Sequence, residues 1–306
     1  MSKAAAPKRQ ESDFIQSASV TAMMRALLAE EDDLTKNPDY LAKYFVSEPW
    51  RQYLAQPAQS KSALQKRVPG GIYYHLVRTK KMDNAFVSWA KKYNECQIVI
   101  LGAGLDSRGL RFAQDYPNAK IYEYDLKGMF DYKIDIINSN ESLAKLNGNI
   151  DYVPINFHEE TLIDSMTTNQ IAQSKNTLVI WEGVSYFLEE QVVKSTLLDL
   201  HKFFKSKLRV IFDYAYRDYV DGDLSYYGAQ ALAHELEQIG EPHIFGVNPD
   251  EVQDFLDELG YVVNNNSTWV SLEREFFLKN DQIQHKLPAF HGIVDCDKNR
   301  YRGKVI

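Results

Sequence analysis

"QIVILGAGLDSRGLRF", Gln97 to Phe112, begins as an apolar run, breaks at Gly102-Ala103-Gly104 and resumes with the composition of a helix start. A short run rich in β-branched residues and closed by glycine reads as a buried strand. The same rhythm recurs downstream. Strands are expected at Gln97–Leu101, Lys120–Tyr124, Tyr152–Ile155, Thr177–Trp181 and Leu208–Tyr214, with helices at Arg108–Tyr116, Lys127–Ile137, Glu160–Gln173 and Glu189–Phe204. Strands alternating with helices make βαβ units and a parallel sheet covered on both faces. Helical regions at Leu224–Gln238 and Pro249–Leu259 follow, and Tyr261–Asn264 and His291–Cys296 would supply two last strands.

Upstream the pattern differs. Phe14, Ala18, Met23 and Leu27 recur at near-helical spacing between Ser12 and Glu30. A second helix is expected from Asp39 to Tyr53, interrupted near Glu48-Pro49, and a long amphipathic one from Ile72 to Tyr93 after the Pro69-Gly70-Gly71 breaker. The sequence thus predicts an α/β chain, a doubly wound, mostly parallel seven-stranded sheet with an N-terminal helical cap. Its expected parts are a disordered tail over residues 1–10, a cap or lid over 11–93, and a core over 94–306 with a substrate-covering insertion near 215–245.

The 306 residues are 44% hydrophobic, enough for a sizeable core. A formal net charge of -7 argues against a nucleic-acid surface. The two cysteines, Cys96 and Cys296, stand far apart, with no Cys/His spacing that suggests zinc or another metal. So few cysteines fit a reducing cytoplasm. No stretch approaches the roughly 18 apolar residues of a membrane span, and "MSKAAAPKRQ" leads into no apolar signal region. The 19 tyrosines suit a pocket for an organic molecule, although scatter over core edges and surface accounts for most of them.

In a doubly wound sheet, ligands bind beyond the carboxyl ends of the strands, where the strand order reverses. A dinucleotide turn reads G-x-G-x-x-G. Gly102 and Gly104 fit it, but the third position is Ser107, and the carboxylate of Asp106 would repel a pyrophosphate. A nicotinamide-dependent oxidoreductase is disfavoured on that ground. A cationic or zwitterionic ligand suits the turn better, and S-adenosylmethionine (SAM) carries a sulfonium, an ammonium and a carboxylate on an adenosine. An acidic residue about twenty positions on would accept both ribose hydroxyls. "IYEYDLK" supplies Asp125, with Glu123 as the alternative. The plainest account is that the two glycines only make a tight turn.

These residues resemble the leucine carboxyl methyltransferase-like family of SAM-dependent O-methyltransferases. "LGAGLDSRGLRF" is similar to its first motif, and "EYDLKGMFDYK", Glu123 to Lys133, to its acidic strand end, loop and lysine, with Lys127 in place of the family's common proline. "YYHLVRTKKMD" puts Arg78 where the family binds the SAM carboxylate, and "LVIWEGVSYFL" puts Glu182 at the end of the fourth strand. "GEPHIFGVNPDEVQDFLDELGY" is similar to the closing segment. Where the family usually carries an Asp-Leu type pair beside the adenine, this chain has Asn156-Phe157, an amide for the base edge and a ring to cover it.

The resemblance implies a class I SAM methyltransferase fold, Rossmann-like, with SAM as cofactor. In it Arg78 would pair with the methionyl carboxylate, Gly102 and Gly104 would allow close backbone approach, Asp125 would hold the ribose, and Glu182 would face the ammonium or order the transfer site. Tyr186 would stand near the methyl group. His75 and His243 are candidate bases for a hydroxyl acceptor, whereas a carboxylate needs none. The expected activity is O-methylation of a carboxylate or hydroxyl of a small natural-product or metabolic molecule, in the cytoplasm. The alternatives are methylation of a protein's C-terminal leucine, or SAM binding without transfer. Neither nucleic acid nor membrane is expected as a partner, and nothing bears on oligomeric state.

Overall fold

The apolar runs become strands because both faces of the sheet are covered. The computed structural model describes residues 11–299, except Asp32 and His158, and the tail expected over residues 1–10 lies outside the described residues. One sheet contains β1 Cys96–Leu101, β2 Ala119–Asp125, β3 Ile150–Pro154, β4 Asn176–Trp181, β5 Leu208–Ala215, β6 Tyr261–Thr268 and β7 His291–Lys298. Their order is β3-β2-β1-β4-β5-β7-β6, a seven-stranded sheet. The first five strands are parallel, and β7 runs antiparallel to both β5 and β6. Every residue of β1 is buried, as expected for a central parallel strand.

Among the described residues four α-helices precede the sheet: α1 Glu11–Ala29, α2 Glu48–Ala55, α3 Pro57–Arg67 and α4 Gly71–Lys92. The helix expected over Asp39–Tyr53 divides into a 3-10 turn at Ala42–Phe45 and then α2, with Pro49 in its first turn. Proline starts a helix well and continues one badly. Helix α3 was not legible, since "PAQSKSALQKR" buries only Ser60 and Leu64. Gly70, at φ 81°, turns the chain into α4 through a left-handed conformation.

The connections carry α5 Arg108–Phe112, α6 Lys127–Asn138, α7 Glu141–Ala144, α8 Leu162–Thr168, α9 Glu190–Phe203, α10 Arg217–Val220, α11 Ala229–Gln238, α12 Val252–Glu258 and α13 Trp269–Phe277. The helix expected over Leu224–Gln238 begins only at Ala229, α13 was not expected, and β6 runs on through Asn264 to Thr268.

Alternate residues of β1 feed opposite cores. Ile98 and Ile100 join Met23, Phe45, Leu76 and Phe86 of the N-terminal helices. Val99 and Leu101 join Trp181, Leu197, Phe212 and Tyr261 on the other face. The N-terminal helices therefore share a core with the sheet. Met23 and Phe45 are fully buried there, each contributing about 1.5–3 kcal/mol through the area removed from water.

Candidate active site

Strand register brings Gly102, Asp125 and Glu182 to one level. Leu101 pairs with Tyr124 of β2 and Trp181 of β4, so the three residues that follow leave adjacent strands side by side. Strands are spaced ~4.8 Å apart, and the β1/β4 boundary is where the strand order reverses, the usual ligand crevice of such sheets. Gly102 and Gly104 take φ of 62° and 47°, a region that glycine enters without steric cost. A Cβ on Gly102 would collide with Val184.

The Asp125 carboxylate caps this turn. Its Oδ2 accepts from the Gly104 amide at 2.6 Å and its Oδ1 from the Leu126 amide at 2.7 Å. Two amides fix its plane and leave lone pairs for two further donors, the requirement for a ribose diol. Asn156 and Phe157 follow β3 and stand half-buried at the same end of the sheet. Glu123 is placed differently. It is buried, Lys133 Nζ lies 2.5 Å from its Oε2, and its Oε1 faces Gly109. Burial pushes its pKa up to about 7, although Lys133 pulls it down. Asp125, not Glu123, is therefore the carboxylate that the strand end presents.

Helix α4 turns Arg78 inward. Its Nε donates to Glu182 Oε1 at 3.0 Å, its Nη1 to the Tyr186 hydroxyl at 2.9 Å and to Asp213 Oδ2 at 3.0 Å, and its Nη2 to His75 Nδ1 at 3.0 Å. These bonds use four of the roughly five N–H groups of a guanidinium. Glu182 is shared, because Arg108 Nη1 stands 2.6 Å from its Oε2 while also pairing with Asp106. Arg108 and Arg111 both grip Asp83, at 2.7 and 2.6 Å. Arg25 of α1 pairs with Asp39 at 2.9 Å and donates to the Leu105 carbonyl at 2.9 Å, tying the first helix to the turn. Burial works to raise the pKa of Asp106, but Arg108, Arg25 and Lys133 outweigh it and hold it at about 2.

Asp213 had not been singled out in the sequence. The signal was a lone carboxylate inside the apolar strand "VIFDYA". Its Oδ1 accepts from the Gly183 amide at 2.7 Å, and its Oδ2 from the Tyr186 hydroxyl at 3.2 Å and the Tyr74 hydroxyl at 3.3 Å. Burial and Asp213 together push the Tyr186 phenol far above its ordinary range, so it serves as a neutral donor.

The two histidines expected as bases differ. His75 receives the Arg78 N–H on Nδ1, so its ring proton sits on Nε2 and no ring lone pair is left to take a proton. It positions Arg78 rather than acting as a base. His243 tilts against Tyr186 with ring centroids 4.3 Å apart, and its Nδ1 has no partner among the described residues. Burial, then Arg78, lowers its pKa to about 3. His243 also lies 5.4 Å, ring to ring, from His291, a residue that carried no sequence signal.

Two surface hollows of about 290 and 390 Å³ open elsewhere, at the opposite end of the parallel strands, around Gln97 and Lys120 and around Trp89 and Arg209. They do not touch the glycine turn. Among the described residues no helix is long and apolar enough to cross a membrane, and no group of three or more His, Cys, Asp or Glu could hold a metal ion.

A doubly wound sheet with an acidic second-strand end, no phosphate loop and a glycine turn at the reversal point fits the class of SAM-dependent methyltransferases, and Ser107 in place of a third glycine sets it apart from a dinucleotide turn. The chain belongs to the leucine carboxyl methyltransferase family, which it matches over residues 18–201. SAM is that family's methyl donor. A methyltransferase candidate of Streptomyces coelicolor (strain ATCC BAA-471 / A3(2) / M145), described as S-adenosyl-L-methionine-dependent, is 30% identical over 125 residues, 40% of this chain and 42% of the relative. The match thus spans less than half the length of that relative. A methyltransferase candidate from Thermobifida fusca YX superposes with a TM-score of 0.58 at 16% identity, covering 92% of this chain and 94% of that one. A DUF574 family protein from Streptomyces avermitilis MA-4680 gives 0.57 at 11% identity, covering 93% and 99%. At these identities the likeness is one of fold.

Proposed function

We propose that this protein is a SAM-dependent O-methyltransferase acting on a small organic acceptor. The observation that carries the reading is the set Gly102, Asp125 and Glu182, aligned by register at the strand reversal with Arg78 behind it. The residues suit the cofactor. Asp125 offers lone pairs to a diol, Arg78 retains an N–H for a carboxylate, and Glu182 offers charge to an ammonium. Asn156 and Phe157, at the end of β3, would serve the base. When bound, SAM supplies a methyl group on a sulfonium that needs no further activation. The chain's own task is to orient an oxygen against that methyl and to exclude water.

Enclosure supports a small acceptor over a protein tail. Helix α1 lies across the turn, and a Cβ on Gly104 would sit 3.6 Å from that of Ala18. Ser17 of α1 donates to both carboxylate oxygens of Glu241, at 2.9 and 3.0 Å, joining the helix to the loop that carries His243. Transfer of label from methyl-labelled SAM to a panel of acids, phenols and peptides ending in leucine tests the reading. Label on acids or phenols supports it. Label on the peptides alone, or on none of them, overturns it.

A further inference from the structure

We propose that His291, with His243 beside it, binds the oxygen of the methyl acceptor, and that this acceptor is an uncharged planar hydroxyl compound, a phenol or an enol, rather than a carboxylate. The proposal rests on the O-methyltransferase reading and narrows it. His291 opens β7 opposite Ala215 of β5 and is 3% exposed. Its ring stacks on Tyr74 at 4.7 Å and 19°, with Phe290 at 4.4 Å, His243 at 5.4 Å and Tyr186 at 5.5 Å. Neither of its ring nitrogens has a hydrogen-bond partner among the described residues. A core histidine ordinarily satisfies at least one, and a buried polar group left unpaired is destabilising. Two such nitrogens on one ring, beside the unpartnered Nδ1 of His243, are hydrogen-bonding capacity open to a bound molecule.

The surroundings give that ligand's class. The cage is built of flat rings, Tyr74, Tyr186, Tyr219, Phe290 and the two histidines. His243 is half-buried and leads outward to Ile244 and Ile239, 45% and 52% exposed. Phe14, 38% exposed, stands one turn before Ser17, whose hydroxyl reaches Glu241 in the same loop. Aromatic rings around unpartnered ring nitrogens suit a molecule with an apolar body and one buried polar atom. A carboxylate would meet Asp213 and Glu182 there, and Arg78 is paired with both of them, its one remaining N–H being assigned in the proposed reading to the carboxylate of SAM. The imidazoles do not replace it, since burial and Arg78 keep both neutral. A hydroxyl needs no cation. It donates to an imidazole lone pair and accepts from an imidazole N–H.

The test is calorimetry on the full chain saturated with S-adenosylhomocysteine, using 1-naphthol against 1-naphthoate as probes. The wild type should bind naphthol at least tenfold more tightly than naphthoate. His291→Phe should lose about tenfold in naphthol affinity with its S-adenosylhomocysteine affinity unchanged, and His291→Asn, which keeps a donor and an acceptor, should recover most of the loss. Tighter naphthoate binding, equal naphthol binding by wild type and His291→Phe, or binding of neither probe overturns the proposal while leaving the cofactor reading intact. Failure of S-adenosylhomocysteine to bind the wild type overturns both.

Discussion

Arg78 and Glu182 are 104 residues apart in the chain and meet at 3.0 Å with less than a tenth of either side chain exposed. The guanidinium is planar and serves three partners besides Glu182, so lysine cannot replace it. Arg78→Lys is expected to weaken SAM binding by tenfold or more and to lower stability by about 2–4 kcal/mol, because Asp213 and Glu182 lose buried partners. Calorimetry with SAM and urea unfolding check the two halves separately. Wild-type affinity in the variant would remove Arg78 from the cofactor site.

The two acidic residues of β2 should separate cleanly. Asp125→Ala removes the carboxylate at the turn and is expected to cost about 1.5–3 kcal/mol of SAM affinity. Glu123→Ala strands Lys133 in a buried site and is expected to cost about 3–5 kcal/mol of stability. If both variants lose stability and neither loses affinity, the ribose assignment fails. SAM titrations and urea midpoints of the two proteins decide it.

Acid should weaken the fold through three of its enclosed histidines. His75, His243 and His291 all titrate below the usual 6.5, chiefly through burial, with Arg78 adding to it. Unfolded histidine takes up a proton as pH falls through about 6.5, while the folded side chain refuses it, so stability is full above that pH and declines below it. Each contributes a slope of about 1.4 kcal/mol per pH unit. Glu123, raised to about 7, works in the opposite sense. The stability difference between wild type and His243→Phe cancels that effect. It is expected to change by about 1.4 kcal/mol per unit between pH 6 and pH 5; a constant difference would show that His243 titrates normally in the fold.

Gly102→Ala combines two penalties, a positive φ and a Cβ driven into Val184. A stability loss of about 1–3 kcal/mol is expected, together with weaker SAM binding because the backbone must shift at the turn. Val184→Ala in the same chain should recover part of it. No recovery in the double variant would show that strain at φ accounts for the whole effect.

The first five strands were legible because buried parallel strands are uninterrupted apolar runs, and the glycine turn because its spacing is fixed by the backbone it must bend. Strand β6 was half lost, since "NNNST" lies at a sheet edge where polar residues face water. Helix α3 was lost because its apolar face is two residues wide. At the site, Arg78, Asp125 and Glu182 follow from motifs along the chain. Asp213 and His291 do not. His291 owes its place to the pairing of β7 with β5, and Asp213 takes its partners from helix α4 and the segment after β4, all distant in the sequence. Long-range antiparallel pairing leaves no local spacing to read.

The hydrogen bonds from Ser17 to Glu241 have a kinetic meaning. Ala18 of the same helix rests on the Gly104 turn, and Glu241 is two residues from His243, so one closure spans both the cofactor turn and the ring cage. In the proposed reading, parting that one contact is expected to release both molecules, and rapid-mix turnover of wild type against Ser17→Ala checks it. Spent cofactor and methylated product should depart in the same interval, and a first turnover should run faster than every later one.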